Sequence, residues 1–154
     1  MRMKTAIFLT AALVLGADAP RERLEDKDQK ALQGKWRAES YTRDGEKVDI
    51  AKEWTDLVFE NDNISWENSI LKGNLGMTGV VPYSYELDSS KEPKTIDLTW
   101  SEGAIKGKKQ LGIYRLEGDK LTICVARIDK ERPKKFESEK GSGNLLLTLK
   151  LMKE

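Results

Sequence analysis

Residues 81–100, VPYSYELDSSKEPKTIDLTW, carry the fold in miniature. Val81, Tyr83, Tyr85 and Leu87 fall on one side of an extended segment, with polar residues between them. The turn formers of 88–93 follow, and Ile96, Leu98 and Trp100 then alternate with Asp97 and Thr99. A period of two is the signature of a strand with one buried face, and two such runs around a short polar turn predict a hairpin. Pro82 cannot donate to a ladder, which predicts an edge or irregular position.

The same period extends in both directions. Toward the C-terminus it predicts a strand over 110–116, the turn Glu117-Gly118-Asp119-Lys120, a strand with Leu121, Ile123 and Val125 on one face, and a last strand over 144–151 with Leu145, Leu147, Leu149 and Leu151 together. Toward the N-terminus it pairs Ile64 with Trp66 and Leu57 with Phe59. In the first strand it sets Trp36, Ala38, Ser40 and Thr42 against Lys35, Arg37, Glu39 and Tyr41, before a turn at Asp44-Gly45. Leu24, Ala31 and Leu32 share one side of a short helix over 21–33, which Gly34 stops.

Eight alternating strands predict an antiparallel meander, and closure into an up-and-down barrel is how such a sheet hides both edges. The connections alternate in length. Those at 43–53, 68–78, 101–109 and 127–143 are long; those near 60–63, 88–93 and 117–120 are short. In up-and-down order this predicts one tight end, plugged by the helix, and one open, loop-rich end. The long loops hold thirteen basic and nine acidic residues, while the short ones are acidic, so the open end is expected to be mildly basic.

Composition narrows function. The chain has 154 residues, with 27 basic and 26 acidic side chains, which argues against an electrostatic nucleic-acid binder. It has no histidine, the commonest general base and transition-metal ligand, and a single cysteine, so no intrachain disulfide or multi-cysteine cluster is expected. Cys124 lies in an apolar run and reads as a small buried hydrophobe. No catalytic residues, metal site or cofactor are expected. Residues 1–19, with Arg2 and Lys4 before an apolar run and Ala17-Asp18-Ala19 at its end, read as a secretory signal peptide. The apolar run is too short for a stable membrane span, so residues 20–154 are expected as one domain, secreted or periplasmic.

Gly34-Lys35-Trp36 after a short helix resembles the Gly-x-Trp with which lipocalins begin their first strand. More of the chain resembles a narrower group, the lipocalin-like domains of unknown function that planctomycete bacteria carry as secreted paralogous sets. The residues that carry the resemblance are Leu32-Gln33-Gly34-Lys35-Trp36, Asp44-Gly45-Glu46, Leu87-Asp88, Pro93 to Leu98, Leu111-Gly112-Ile113-Tyr114, Gly118-Asp119-Lys120-Leu121, Cys124, Arg132-Pro133 with Phe136, and Gly141-Ser142-Gly143. Ser89 departs from the proline common after Leu-Asp, and 68–82 match poorly. The resemblance implies a secreted lipocalin-like barrel and no established activity. It also implies a basic side chain from the last strand over the first-strand indole, for which Lys150 is the nearest candidate.

Two functions follow as expectations. In the first, the barrel binds a small hydrophobic or anionic amphiphilic ligand. Trp36, Phe59, Trp66, Tyr83, Tyr85 and Trp100 are then the candidate interior residues. In the second, these side chains fill the interior and the long loops bind a protein or envelope partner of unknown identity. Lys108, Lys109, Arg132, Lys134 and Lys135 are then the candidate surface.

Overall fold

A computed structural model describes residues 24–68 and 80–153, with side chains from residue 27; the expected signal segment and most of the 68–78 connection lie outside them. The order of elements is α1 (Leu24–Leu32), β1 (Gly34–Arg43), β2 (Glu46–Lys47), β3 (Thr55–Glu60), β4 (Asn63–Asn68), β5 (Val80–Asp88), β6 (Lys94–Trp100), β7 (Lys109–Glu117), β8 (Lys120–Val125) and β9 (Leu145–Leu151). From β3 to β9 each strand pairs antiparallel with the next, and β1 pairs with both β3 and β9. The chain is therefore all-β apart from one short helix, and its sheet closes into an eight-stranded, lipocalin-like antiparallel barrel. The two-residue β2 only extends β1 as a hairpin, through the expected turn at Asp44-Gly45. Gly45 is required there: its φ is +80°, and a Cβ would lie 2.5 Å from the Lys140 backbone nitrogen.

Side-chain alternation sets inside and outside. The inner rows of β5 and β6 are Tyr83↔Trp100, Tyr85↔Leu98 and Leu87↔Ile96. The inward face of β7, ambiguous in sequence, is Gln110, Gly112, Tyr114 and Leu116. These lie opposite Leu98, Ile96 and Lys94 on β6, and Val125, Ile123 and Leu121 on β8. A Cβ on Gly112 would lie 3.0 Å from the Cys124 carbonyl, so the missing side chain lets β7 and β8 approach here. Pro82 is not at an edge: it lies within β5 opposite Ser65, and its carbonyl accepts the Ser101 N–H at 3.1 Å.

Strand β1 departs from strict alternation. Ala38 pairs with Leu149 but Ser40 with Thr148, so Glu39 is an extra residue. This bulge shifts the period by one. Trp36 and Ala38 face inward as expected, but beyond Glu39 the inward residue is Tyr41, opposite Leu147, and not Ser40 or Thr42.

Helix α1 closes the end where the short turns lie. Leu32 is fully buried, and its carbonyl accepts the Trp36 indole N–H at 2.7 Å. Asp28 accepts from Lys94 Nζ and from the Tyr114 hydroxyl, each at 2.7 Å. Gln33 accepts the Asn61 N–H at 2.7 Å, and Gln29 donates to Asp62, so the helix is tied to the β3–β4 turn as well. Lys150 does not cover Trp36. It is exposed and opposite Arg37 on the outer wall, because parity on β9 places Leu151 beside the tryptophan.

The largest departure is the 127–143 connection. Only part of it stands at the open end, where residues 138–143 pack on the Asp44-Gly45 turn. The rest folds down the outer wall as a strap over β7 and β8. Arg132 donates to Asp97 at 2.6 Å and to the Gly112 carbonyl at 2.7 Å. The Arg115 guanidinium lies 4.9 Å from the centre of the Phe136 ring, and Cys124 Sγ donates to the Glu137 carbonyl at 3.4 Å. Ile113 and Cys124, which point outward from the barrel, are consequently buried. The physical reason is that their apolar surface needs a cover, which the strap supplies.

Candidate functional site

The six expected interior aromatics all pack in or against one core, and they divide by height. Trp36, Phe59 and Tyr85 lie in the closed half. Trp66, Tyr83 and Trp100 lie toward the mouth. In each half the rings touch: Phe59 and Tyr85 are edge to face with centroids 5.4 Å apart, and Tyr83 and Trp100 are tilted with centroids 4.8 Å apart.

The halves differ in how their polar atoms are satisfied. In the closed half, Trp36 donates to Leu32, Tyr114 donates to Asp28, and the Tyr85 hydroxyl donates to the Asn61 carbonyl at 2.9 Å. In the mouth half, Trp100 donates to Gln110 at 3.1 Å, and Gln110 donates on to the Ala126 carbonyl at 3.0 Å. Asn68 donates to Thr55 at 2.9 Å. Among the described residues, neither the Trp66 indole N–H nor the Tyr83 hydroxyl donates to a protein group, and neither atom is wholly withdrawn from solvent. Among those residues, the buried polar side-chain atoms without a partner are Glu53 Oε2, in the loop that leads into β3, and Ser89 Oγ, in the β5–β6 turn at the plugged end.

Tyr41 lies beside Glu53 and Tyr83, its hydroxyl held by the Arg43 guanidinium. Burial pushes its hydroxyl up, the Arg43 guanidinium pulls it down, and the nearby charge of Glu53 pushes it up again. Burial also pushes the Tyr83 hydroxyl up, with Tyr41 adding to the effect. The mouth half therefore gathers Tyr41, Tyr83 and Trp100, with Glu53 near Tyr41. Tyr41, Glu53 and Gln110 were not among the candidates read from sequence. The bulge hid Tyr41, the ambiguous face of β7 hid Gln110, and a lone carboxylate in a loop carries no local signal.

The candidate surface cations do not form one patch. Lys108 stays in the rim loop between β6 and β7. Lys109 opens β7 and lies 3.5 Å from Glu86. Arg132, Lys134 and Lys135 belong to the strap on the outer wall, with Arg132 engaged by Asp97 and the two lysines exposed. Of the charges assigned to the mouth, Arg132, Lys134 and Lys135 lie on the outer wall, while Arg127 and Lys140 stay beside the β1–β2 turn at the rim. Between the strap and the β5–β6 turn is a groove of about 730 Å³, with Ile113, Pro93 and Pro133 among its walls and both signs of charge around it.

Among the described residues, no group of three or more Cys, Asp or Glu side chains is placed to hold a metal ion, and no helix is long and apolar enough to cross a membrane. Cys124 is not a poised nucleophile: burial pushes its thiol up to about 11, against the opposing effect of the Glu137 backbone. Comparison with protein-family models, curated proteins and solved structures finds no match to this chain.

Proposed function

We propose that this is a secreted or periplasmic, non-catalytic binding domain that takes a small apolar or amphiphilic molecule into the mouth half of its barrel. One observation carries the reading. Inside a single continuous barrel, Trp36, Tyr85 and Tyr114 in the plugged half are hydrogen-bonded to protein groups, while the Trp66 indole and the Tyr83 hydroxyl in the open half donate to none of the described residues. A ligand seated among Trp66, Tyr83 and Trp100 supplies partners to these groups and apolar surface to the rings. Burial of ~100 Å² of apolar ligand surface contributes ~2.5 kcal/mol before ordering costs. The signal-like residues 1–19 support the compartment, and the resemblance to secreted lipocalin-like domains supports the class. The test is titration of the full chain with a panel of amphiphiles of different head group, following tryptophan fluorescence. Saturable quenching by at least one member is expected; no response across the panel contradicts the reading.

A second reading has its own support. The rings pack on one another in both halves, and the groove of about 730 Å³ lies outside the barrel. A protein- or envelope-interaction module would use that outer surface. Charge reversal at Lys108, Lys109, Lys134 and Lys135 separates the two: it abolishes salt-sensitive capture by an outer-surface module and leaves uptake of a neutral ligand by the barrel nearly unchanged.

A further inference from the structure

We propose that the open rim of the barrel docks on an anionic lipid surface, led by the connection between β6 and β7; this goes beyond the ligand reading and holds whether or not the interior is occupied. The connection is a hydrogen-bonded finger. The Trp100 N–H donates to the Lys108 carbonyl at 3.0 Å and the Gly107 N–H to the Trp100 carbonyl at 2.8 Å, which closes its base. The Lys106 N–H donates to the Gly103 carbonyl at 3.1 Å, so Ala104 and Ile105 are the central residues of the turn at its tip. Residues 102–109 are all exposed, and a Cβ on Gly103 or Gly107 would meet nothing within 4 Å. The finger is ordered by its own backbone and stands in open space, yet its tip carries an isoleucine.

The surroundings point to a partner. Among the described residues, the exposed large apolar side chains are Trp54, Val80, Ile105 and Met152. The first three fall on one arc of the rim. Trp54 precedes Thr55, which opens β3 opposite Asn68. Val80 opens β5 opposite Glu67, and the N–H of Ser101, at the foot of the finger, donates to the Pro82 carbonyl of β5. Single apolar residues scattered on a surface are ordinary, whereas a run of them along neighbouring strands marks an interaction site.

Charge selects the partner. Lys106 and Lys108 follow Ile105 and have no carboxylate partner among the described residues. Lys109, at the base, lies 3.5 Å from Glu86, and Glu102 is the acidic side chain of the finger. An apolar tip beside uncompensated lysines suits a bilayer with negative head groups: the isoleucine enters the interface and the lysines stay at head-group level. Toward Trp54 the balance reverses, with Asp49 and Glu53 against Lys52. The finger therefore makes the leading contact, and the Trp54 indole flanks it at the interface. A second copy of the chain suits this rim less well, because two-fold pairing would set the same lysines against each other.

The test is co-sedimentation of the full chain with two kinds of vesicle, phosphatidylcholine alone and phosphatidylcholine with about one-third phosphatidylglycerol. The unmodified chain is expected to bind the anionic vesicles about tenfold more tightly, by a margin that shrinks as salt rises. Lys106→Glu with Lys108→Glu is expected to weaken binding to the anionic vesicles about tenfold. Ile105→Asp is expected to weaken binding to both kinds about tenfold. Lys134→Glu with Lys135→Glu makes the same charge change on the strap and is expected to leave binding within about twofold. No binding to either vesicle, binding that the finger variants leave unchanged, or an equal loss from the strap variant overturns the docking surface. A lipid-free dimer that Ile105→Asp splits also overturns it, since a second copy would then cover the tip. Uptake of amphiphile by the barrel is read separately, by tryptophan quenching.

Discussion

The two halves of the barrel interior are built from the same kinds of side chain and finished differently. At the plugged end, Trp36, Tyr85 and Tyr114 each place a polar atom on a specific protein partner, and two of those partners belong to α1. At the open end, Trp66 and Tyr83 are also buried as residues, Trp66 less deeply than Trp36, and their polar atoms donate to none of the described protein groups. The difference teaches that burial alone does not separate core from site. Trp36, Tyr85 and Tyr114 are fixed by both packing and hydrogen bonds, whereas Trp66 and Tyr83 are fixed by packing alone.

The contrast is most open to attack through its largest side chains. Trp36→Ala is expected to cost about 3–5 kcal/mol, since a fully buried indole is removed and the Leu32 carbonyl loses its donor. Trp100→Ala, from a partly buried position, is expected to cost about half of that. Urea unfolding of both variants measures the pair; equal losses would erase the distinction.

A smaller effect tests the plug. Asp28 receives both Lys94 and Tyr114, so Asp28→Asn is expected to cost about 2 kcal/mol and to loosen α1. Thermal unfolding reports the loss, and amide hydrogen exchange reports whether the helix opens first. An unchanged midpoint would mean that the helix is only resting on the barrel.

The smallest effect isolates a single oxygen in each half. Tyr85→Phe deletes a hydroxyl that donates to Asn61 and is expected to cost about 1 kcal/mol. Tyr83→Phe deletes one without a partner and is expected to leave stability within about 0.3 kcal/mol of the parent. The same denaturation curves decide it, and a reversed order would show that the mouth hydroxyl is structural.

Much of this architecture was legible in the chain, for a physical reason. A barrel imposes one inward face on every strand, so Tyr83, Tyr85, Leu98 and Trp100 disclose their side by alternation alone. Alternating connection lengths then disclose which end is tight. Alternation fails where one residue is inserted: the extra Glu39 exchanges Ser40 for Tyr41 on the inner face, and no composition signal marks a bulge. It also cannot place the strap. The local trace was there, because the unbroken apolar run from Leu121 to Ala126 and the outward Ile113 imply a strand covered on both faces. What covers it is a long-range contact, Arg132 reaching Asp97 and the Gly112 carbonyl, which no local pattern encodes. Glu53 was illegible as well, since a lone half-buried carboxylate in the loop before β3 leaves no pattern in the chain.

The central claim is that ligand enters only the upper half of the interior. The chain has four tryptophans, and each indole N–H gives a separate signal in a ¹H–¹⁵N correlation spectrum. Titration with an amphiphile that quenches the tryptophan fluorescence is predicted to shift the Trp66 and Trp100 indole signals and to leave Trp36, bonded to Leu32 beneath the plug, where it was. Shifts of equal size at Trp36, or movement of Trp36 alone, would contradict the division of the barrel on which this account stands.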